Sequence, residues 1–186
     1  MSQSAKKETR KRLIEAGKKV IFEKGFHRAR VSDITSEAGL AHGTFYLYFK
    51  TKDDFLLELL KAVRGEMLSL IDDGIKQIRN GDREKGKELV FLKTFELMIR
   101  EKELAKIFFF EAICTSKEFQ EFYREGKELF ISRIDEALFN LGVPSSETKA
   151  HILVGCARHL IENLILSGGE VFGIWKEILR ELGIYS

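Results

Sequence analysis

The 186-residue chain has one proline, Pro144, one tryptophan and two cysteines. With so few breakers, and with no run of alternating β-branched residues, the apolar spacing predicts an all-α protein. Two cysteines allow at most one disulfide, which is the alternative to two free thiols. Cys114 and Cys156 each fall in an apolar helical pattern and read as buried free thiols of a cytoplasmic protein. No apolar stretch reaches the roughly 18 residues that a bilayer span requires. The charged start "MSQSAKKETRKR" is not followed by an uninterrupted apolar segment, so neither a membrane partner nor a signal peptide is expected. Asn and Gln number six against abundant Lys and Glu, a bias of heat-tolerant proteins that says nothing of function. Common chemical motifs are missing too: no His-Glu-x-x-His, no nucleophile motif and no carboxylate pair with an evident cleft. No catalytic residue, metal or cofactor is expected.

What is present is an uneven charge. Residues 1–52 hold twelve Lys/Arg against five Asp/Glu, and residues 53–186 hold nineteen against twenty-four. A basic head at +7 on a body at −5 suggests that the head meets a polyanion and the body does something else.

Within the head, Leu13, Ala16, Val20 and Ile21 share one face of a helix over 6–24 that Gly25 ends. A short helix follows, with Ser32 as candidate N-cap, and stops at Gly39; a second runs from about His42 to Tyr48. Two short helices around a Gly-containing turn, after a third, form a helix-turn-helix plan. The stretch "AGLAHGTFYLYFKTK" sets four aromatic rings among glycines and lysines. Phe45 and Phe49 suit the head's core. Gly43 would let backbone approach a duplex, His42 and Thr44 can bond bases or phosphates, Tyr46 and Tyr48 carry hydroxyls, and Lys50 and Lys52 carry charge.

These residues carry a resemblance. "KGFHRARVSDITSEAGLAHGTFYLYFKTKDDFL", residues 24–56, resembles the signature of the tetracycline-repressor (TetR) family of bacterial transcription regulators. The matches are Gly25-Phe26, Asp33-Ile34, Ala38-Gly39, Gly43-Thr44-Phe45-Tyr46, Tyr48-Phe49, Lys52 and Phe55-Leu56. The resemblance implies a homodimer whose recognition helices enter successive major grooves of a palindromic double-stranded DNA operator. By position it implies contacts from Ser32, Ala41, His42, Gly43, Thr44, Tyr46, Tyr48 and Lys52. Many members carry a capping Ser at position 41 and a Lys at position 42. Ala41 cannot cap, and His42 brings less charge.

The expected division is a helix-turn-helix domain at 1–50 and a helical ligand-binding and dimerisation domain at 51–186. The body reads as a long helix at 53–79, a loop "NGDREKG", and helices near 87–101, 103–115, 117–141, 146–167 and 170–183. "GDREKGKE" imitates a phosphate-binding loop, but Glu88 stands where a hydroxyl should hold magnesium, and helix precedes it instead of strand. Three adjacent phenylalanines in "IFFFEAIC" cannot all face one core. A cavity for a small hydrophobic ligand is expected, walled by Met67, Phe95, Met98, Phe109, Ile113 and Phe122, with His159, Asn163 or Arg158 meeting a polar end. A fatty acid or fatty-acyl thioester is the first expectation and an aromatic drug-like compound the second. Apolar stripes on the last two helices, including Leu153, Leu160, Leu164, Trp175, Ile178 and Leu179, suggest an isologous dimer interface. Two other classes compete: an enzyme with an unrecognised site, which turnover without DNA would reveal, and an architectural DNA binder, which a body without a cavity would favour.

Overall fold

The computed structural model describes residues 3–185 and contains nine α-helices and no strand among them. Helix α1 (Gln3–Lys24) buries the expected stripe of Leu13, Ala16, Val20 and Ile21. It stops at Gly25, whose φ of +79° suits a residue without a Cβ. Helix α2 (Val31–Glu37) starts two residues earlier than the sequence suggests: Arg30, not Ser32, is its N-cap, and the Asp33 carboxylate accepts from the Arg30 backbone N–H at 3.0 Å. That bond, with Lys24 3.1 Å away, holds the Asp33 pKa below its ordinary value. After Gly39 the second short helix forms as a 3-10 helix, His42–Leu47, with Ala41 at its N-cap making no side-chain bond.

Helix α3 (Lys52–Arg79) opens with a reciprocal cap, Thr51 Oγ1 accepting from Asp54 N–H and Asp54 from Thr51 N–H, each at 3.0 Å. The following loop is shorter than expected. Asp82 caps α4 (Arg83–Lys87), and the chain continues through a π-helical turn, Glu88–Lys93, into α5 (Thr94–Arg100). Helix α6 (Lys102–Ile107) likewise runs into a π-helical turn, Phe108–Ala112. Helices α7 (Lys117–Asn140), α8 (Ser146–Ser167) and α9 (Phe172–Glu181) complete the body. Helix ends at Ala112, so Cys114 falls in a turn and is exposed rather than buried; Cys156 is half-buried, and both are free thiols. None of the described helices is long and apolar enough to cross a membrane.

The side chains form two buried cores. One joins α1, α2 and the 3-10 helix to the first half of α3, and to Leu104, Ile107, Phe108, Phe119 and Phe122 from the body. The other joins the second half of α3 to α5, α7, α8 and α9. The head therefore shares its core with the body across position 50.

Close helix contacts explain glycines that the sequence leaves ambiguous. A Cβ at Gly17 would collide with the fully buried ring of Phe55, so α1 lies directly on α3. Gly74 and Gly86 face each other: a Cβ on Gly74 would sit 2.8 Å from the Gly86 carbonyl oxygen, and one on Gly86 2.7 Å from that of Gly74. The phosphate-loop imitation is thus a helix-packing contact. Gly17→Ala and Gly86→Ala should each cost about 1–3 kcal/mol by overpacking. Gly65→Ala, on an exposed helical position with nothing near its Cβ, should gain about 0.5–1 kcal/mol. Urea unfolding of the three variants checks this; equal midpoints for Gly17→Ala and Gly65→Ala would contradict the packing.

Candidate DNA-facing helix and internal cavity

The 3-10 helix divides its rings by burial. Phe45 and Phe49 are closed into the head, with Phe49 edge-on to Phe55 at 4.9 Å between ring centres. Outward lie Ala41, His42, Gly43, Tyr46 and Leu47, with Ser32 exposed on α2. His42 and Tyr46 pack edge to face at 5.6 Å. No atom lies within 4 Å of the Cβ position at Gly43, so a duplex backbone could approach there. Thr44 and Tyr48 are half-buried, and Tyr48 packs against the head core. Leu47, not among the expected contacts, is 77% exposed on the same surface. An apolar side chain there is suited to a thymine methyl group.

Lys52 does something other than expected. Its ammonium lies over the Phe26 ring at 4.5 Å and donates to the carbonyls of Phe26 at 2.6 Å and Ala29 at 3.0 Å. Burial lowers its pKa. It ties the turn between α1 and α2 to the start of α3, because carbonyls leaving a helix end need donors. Other head cations are also engaged: Arg10 with Glu58, Arg12 with the Ala38 carbonyl, Lys19 with Glu37, and Lys24 with Asp33. Lys6, Lys7 and Lys50 are exposed and carry no ion pair among the described residues.

In the body, a cavity of about 320 Å³ occupies the gap between the two cores. From the first core come Leu60, Leu104, Phe108 and Phe122; from the second, Ile71, Phe91, Phe95, Ile161 and Trp175. Met67, Phe95, Met98, Phe109 and Phe122 line it; Ile113, His159 and Asn163 do not. His159 and Asn163 lie on the exposed side of α8, 3.1 Å from each other, and Ile113 packs on the head core instead. The polar groups facing the cavity include Arg64, Glu101, Lys127, His151 and Arg158. Arg158 is held by Glu162 at 2.7 Å and by the Tyr123 hydroxyl, and sits over the rings of Phe109 and Tyr123 at 4.9 and 4.8 Å. Burial opposes its charge, but Glu162 and Tyr123 outweigh that and raise its pKa.

The residues expected at a partner seam divide as well. Leu153, Leu160, Trp175 and Leu179 are buried in the chain's own second core. Trp175 stacks on Phe95 at 4.7 Å and donates to the Phe91 carbonyl at 2.8 Å. Leu164 and Ile178 are half-buried against the same core. The apolar residues that α8 and α9 leave outside are Ile152, Leu166 and Ile174.

The sequence pattern of "Bacterial regulatory proteins, tetR family" matches residues 13–59, and that of "Tetracyclin repressor-like, C-terminal domain" matches residues 85–181. The chain belongs to the tetR family. It is 32% identical to the fatty acid metabolism regulator protein of Bacillus subtilis over 149 residues, which is 80% of this chain and 75% of that one. A TerR/AcrR-family transcriptional regulator from Aquifex aeolicus superposes with a TM-score of 0.75 at 28% identity, covering 93% of this chain and 96% of that one. The regulator FadR from Bacillus subtilis, solved in complex with stearoyl-CoA, superposes with a TM-score of 0.70 at 24% identity, covering 92% and 96%. This tetR-family chain is accordingly a transcriptional regulator, with its helix-turn-helix in the first matched segment.

For such a regulator the two lysines should behave differently. Lys50→Ala should lessen the salt dependence of operator binding, by about 0.9 in the slope of log affinity against log salt if one phosphate contact is lost. Lys52→Met should leave that slope unchanged and lower the thermal stability of the protein. A reduced slope with unaltered stability for Lys52→Met would restore its expected role on phosphate.

Proposed function

We propose that the protein is a repressor that occupies a palindromic operator as a homodimer and leaves it on binding a fatty acid or fatty-acyl thioester. The observation that carries this reading is the cavity. Its volume falls within the roughly 300–1,000 Å³ of small-molecule sites. Its wall is aromatic and aliphatic, and Arg158 is oriented in it by two fixed partners. Such a lining suits a long apolar chain ending in a strong acceptor. The names of two similar proteins, a fatty acid metabolism regulator and a FadR solved with stearoyl-CoA, agree with it.

On the head, the exposed end of the 3-10 helix would enter the major groove. His42, Thr44, Tyr46 and Leu47 would meet base edges or nearby phosphates, and Ser32, Ala41, Gly43 and Tyr48 would fit against the backbone. Dimerisation would use the outer faces of α8 and α9, where Ile152, Leu166 and Ile174 stand exposed, and not the buried Trp175 and Leu179. A ligand that prefers one arrangement of the heads by about 1–3 kcal/mol would change operator affinity about 5- to 150-fold.

Titrating acyl thioesters of increasing chain length against operator-bound protein tests the ligand. Release should strengthen with chain length up to a limit set by the cavity, and Arg158→Met should weaken binding by about 1.5–3 kcal/mol, as for a lost bond to a charged group. Release by flat aromatic compounds alone would move the assignment to a drug-like effector. For the dimer, Ile152→Glu with Leu166→Glu should give a folded monomer in sedimentation. Trp175→Glu should instead unfold the body, because it buries an unpaired charge. A monomeric unmutated protein at micromolar concentration would remove the dimer from the proposal.

A further inference from the structure

One of the segments through which body and head touch also walls the cavity. In the π-helical turn Phe108–Ala112, Phe108 and Phe109 line the cavity. Two residues on, Glu111 faces the head: its carboxylate accepts from the Phe26 backbone N–H at 2.7 Å, and its carbonyl oxygen lies 3.2 Å from His27 Nε2. Phe26 lies in the turn after α1, where backbone N–H groups have left the helical ladder. That is the same turn whose carbonyls Lys52 holds. A carboxylate from the body and an ammonium from α3 thus fix the two kinds of backbone group in one turn, just ahead of α2 and the DNA-facing helix.

The segment can move in steps. Ile113 N–H donates to the Phe108 carbonyl at 2.9 Å, an i to i+5 bond in place of the α-helical one. A π turn holds one residue more than the α-helix does, and the two hydrogen-bond patterns are discrete alternatives. The far end of α6 is anchored: Glu101, which also lines the cavity, pairs with Lys18 of α1 at 3.6 Å. With that end held, pressure on Phe108 and Phe109 falls on residues 108–112.

We propose that Glu111 is the positioning residue through which a filled cavity loosens the turn at Phe26 and so changes how the head presents its DNA-facing helix. The proposal rests on the ligand-released repressor reading but not on the ligand's identity. A molecule entering beside Phe108 and Phe109 shifts the π turn, withdraws the Glu111 carboxylate from the Phe26 N–H, and leaves that turn held by Lys52 and by the packing of Phe26 on Phe119.

The test fills the cavity in two ways, with palmitoyl-CoA and with the substitutions Val154→Phe or Ala157→Phe on α8, and reads the Phe26 amide by hydrogen exchange in the dimer. Exchange at Phe26 should quicken by about tenfold or more on filling, the scale expected when a bond to a charged group opens. Operator affinity is measured in parallel. The change made by Val154→Phe or Ala157→Phe should shrink below about twofold in Glu111→Ala, while Glu111→Gln, which keeps an acceptor oxygen, retains most of it. An equally slow Phe26 amide in filled and empty protein overturns the proposal. So does an operator shift of the same size in the wild-type and Glu111→Ala backgrounds, which would give Glu111 a merely structural role. Failure of palmitoyl-CoA to bind counts against the acyl reading alone, and the substituted proteins then decide the role of Glu111.

Discussion

The head's orientation depends on how one six-residue turn, residues 25–30, is satisfied. Between α1 and α2 the chain leaves backbone groups without helical partners, and a buried group left unpaired costs about 1–3 kcal/mol. The carbonyls of Phe26 and Ala29 are met by Lys52, and the N–H of Phe26 by Glu111. One partner comes from the root of the long helix, the other from the π-helical turn whose Phe108 and Phe109 line the cavity. The helix-turn-helix is therefore tied, through this turn, to elements that also border the cavity. The shared core, in which Phe26 packs edge to face with Phe119 at 6.4 Å, adds an apolar layer to the same junction.

The cavity follows from having two cores in place of one. Helix α3 is 28 residues long and runs through both. Its first half belongs to the head's cluster and its second half to the α7–α9 cluster. Where the clusters meet, ring-bearing segments on α5, on α7 and in the π-helical turn after α6 leave space that their side chains do not fill. Both π-helical turns contribute to that wall, through Val90 and Phe91 in one and Phe108 and Phe109 in the other. An interior left open between packed layers forgoes contacts that a ligand can restore.

Much of this was legible in the sequence. The α1 stripe, the split between buried Phe45 and Phe49 and exposed Tyr46, and the breaks at Gly25 and Gly39 follow from local spacing and backbone sterics. What stayed hidden depended on partners distant in sequence. Lys52 reads as one more basic residue beside a DNA-facing stretch; only the fold shows that the 26–29 carbonyls lie within its reach. Gly17 and Gly86 look like helix-weakening residues until Phe55 and Ile78 are placed against them. On α8, neighbours differ by roughly 100° around the axis, so a broad apolar pattern could not tell that Arg158 turns inward while His159 turns out. A π turn adds one residue that 3.6-residue periodicity does not reveal, and it resolves the three phenylalanines: Phe108 buried, Phe109 on the cavity, Phe110 exposed.

The central claim is that filling the cavity changes the arrangement of the heads in a dimer. The most direct measurement is the distance between spin labels placed at Arg28→Cys in both protomers, with Cys114 and Cys156 replaced by serine, before and after saturation with palmitoyl-CoA. The account predicts a changed distance distribution accompanied by loss of operator affinity. An unchanged distribution and an unchanged operator affinity, in protein shown by calorimetry to hold the ligand, would contradict it.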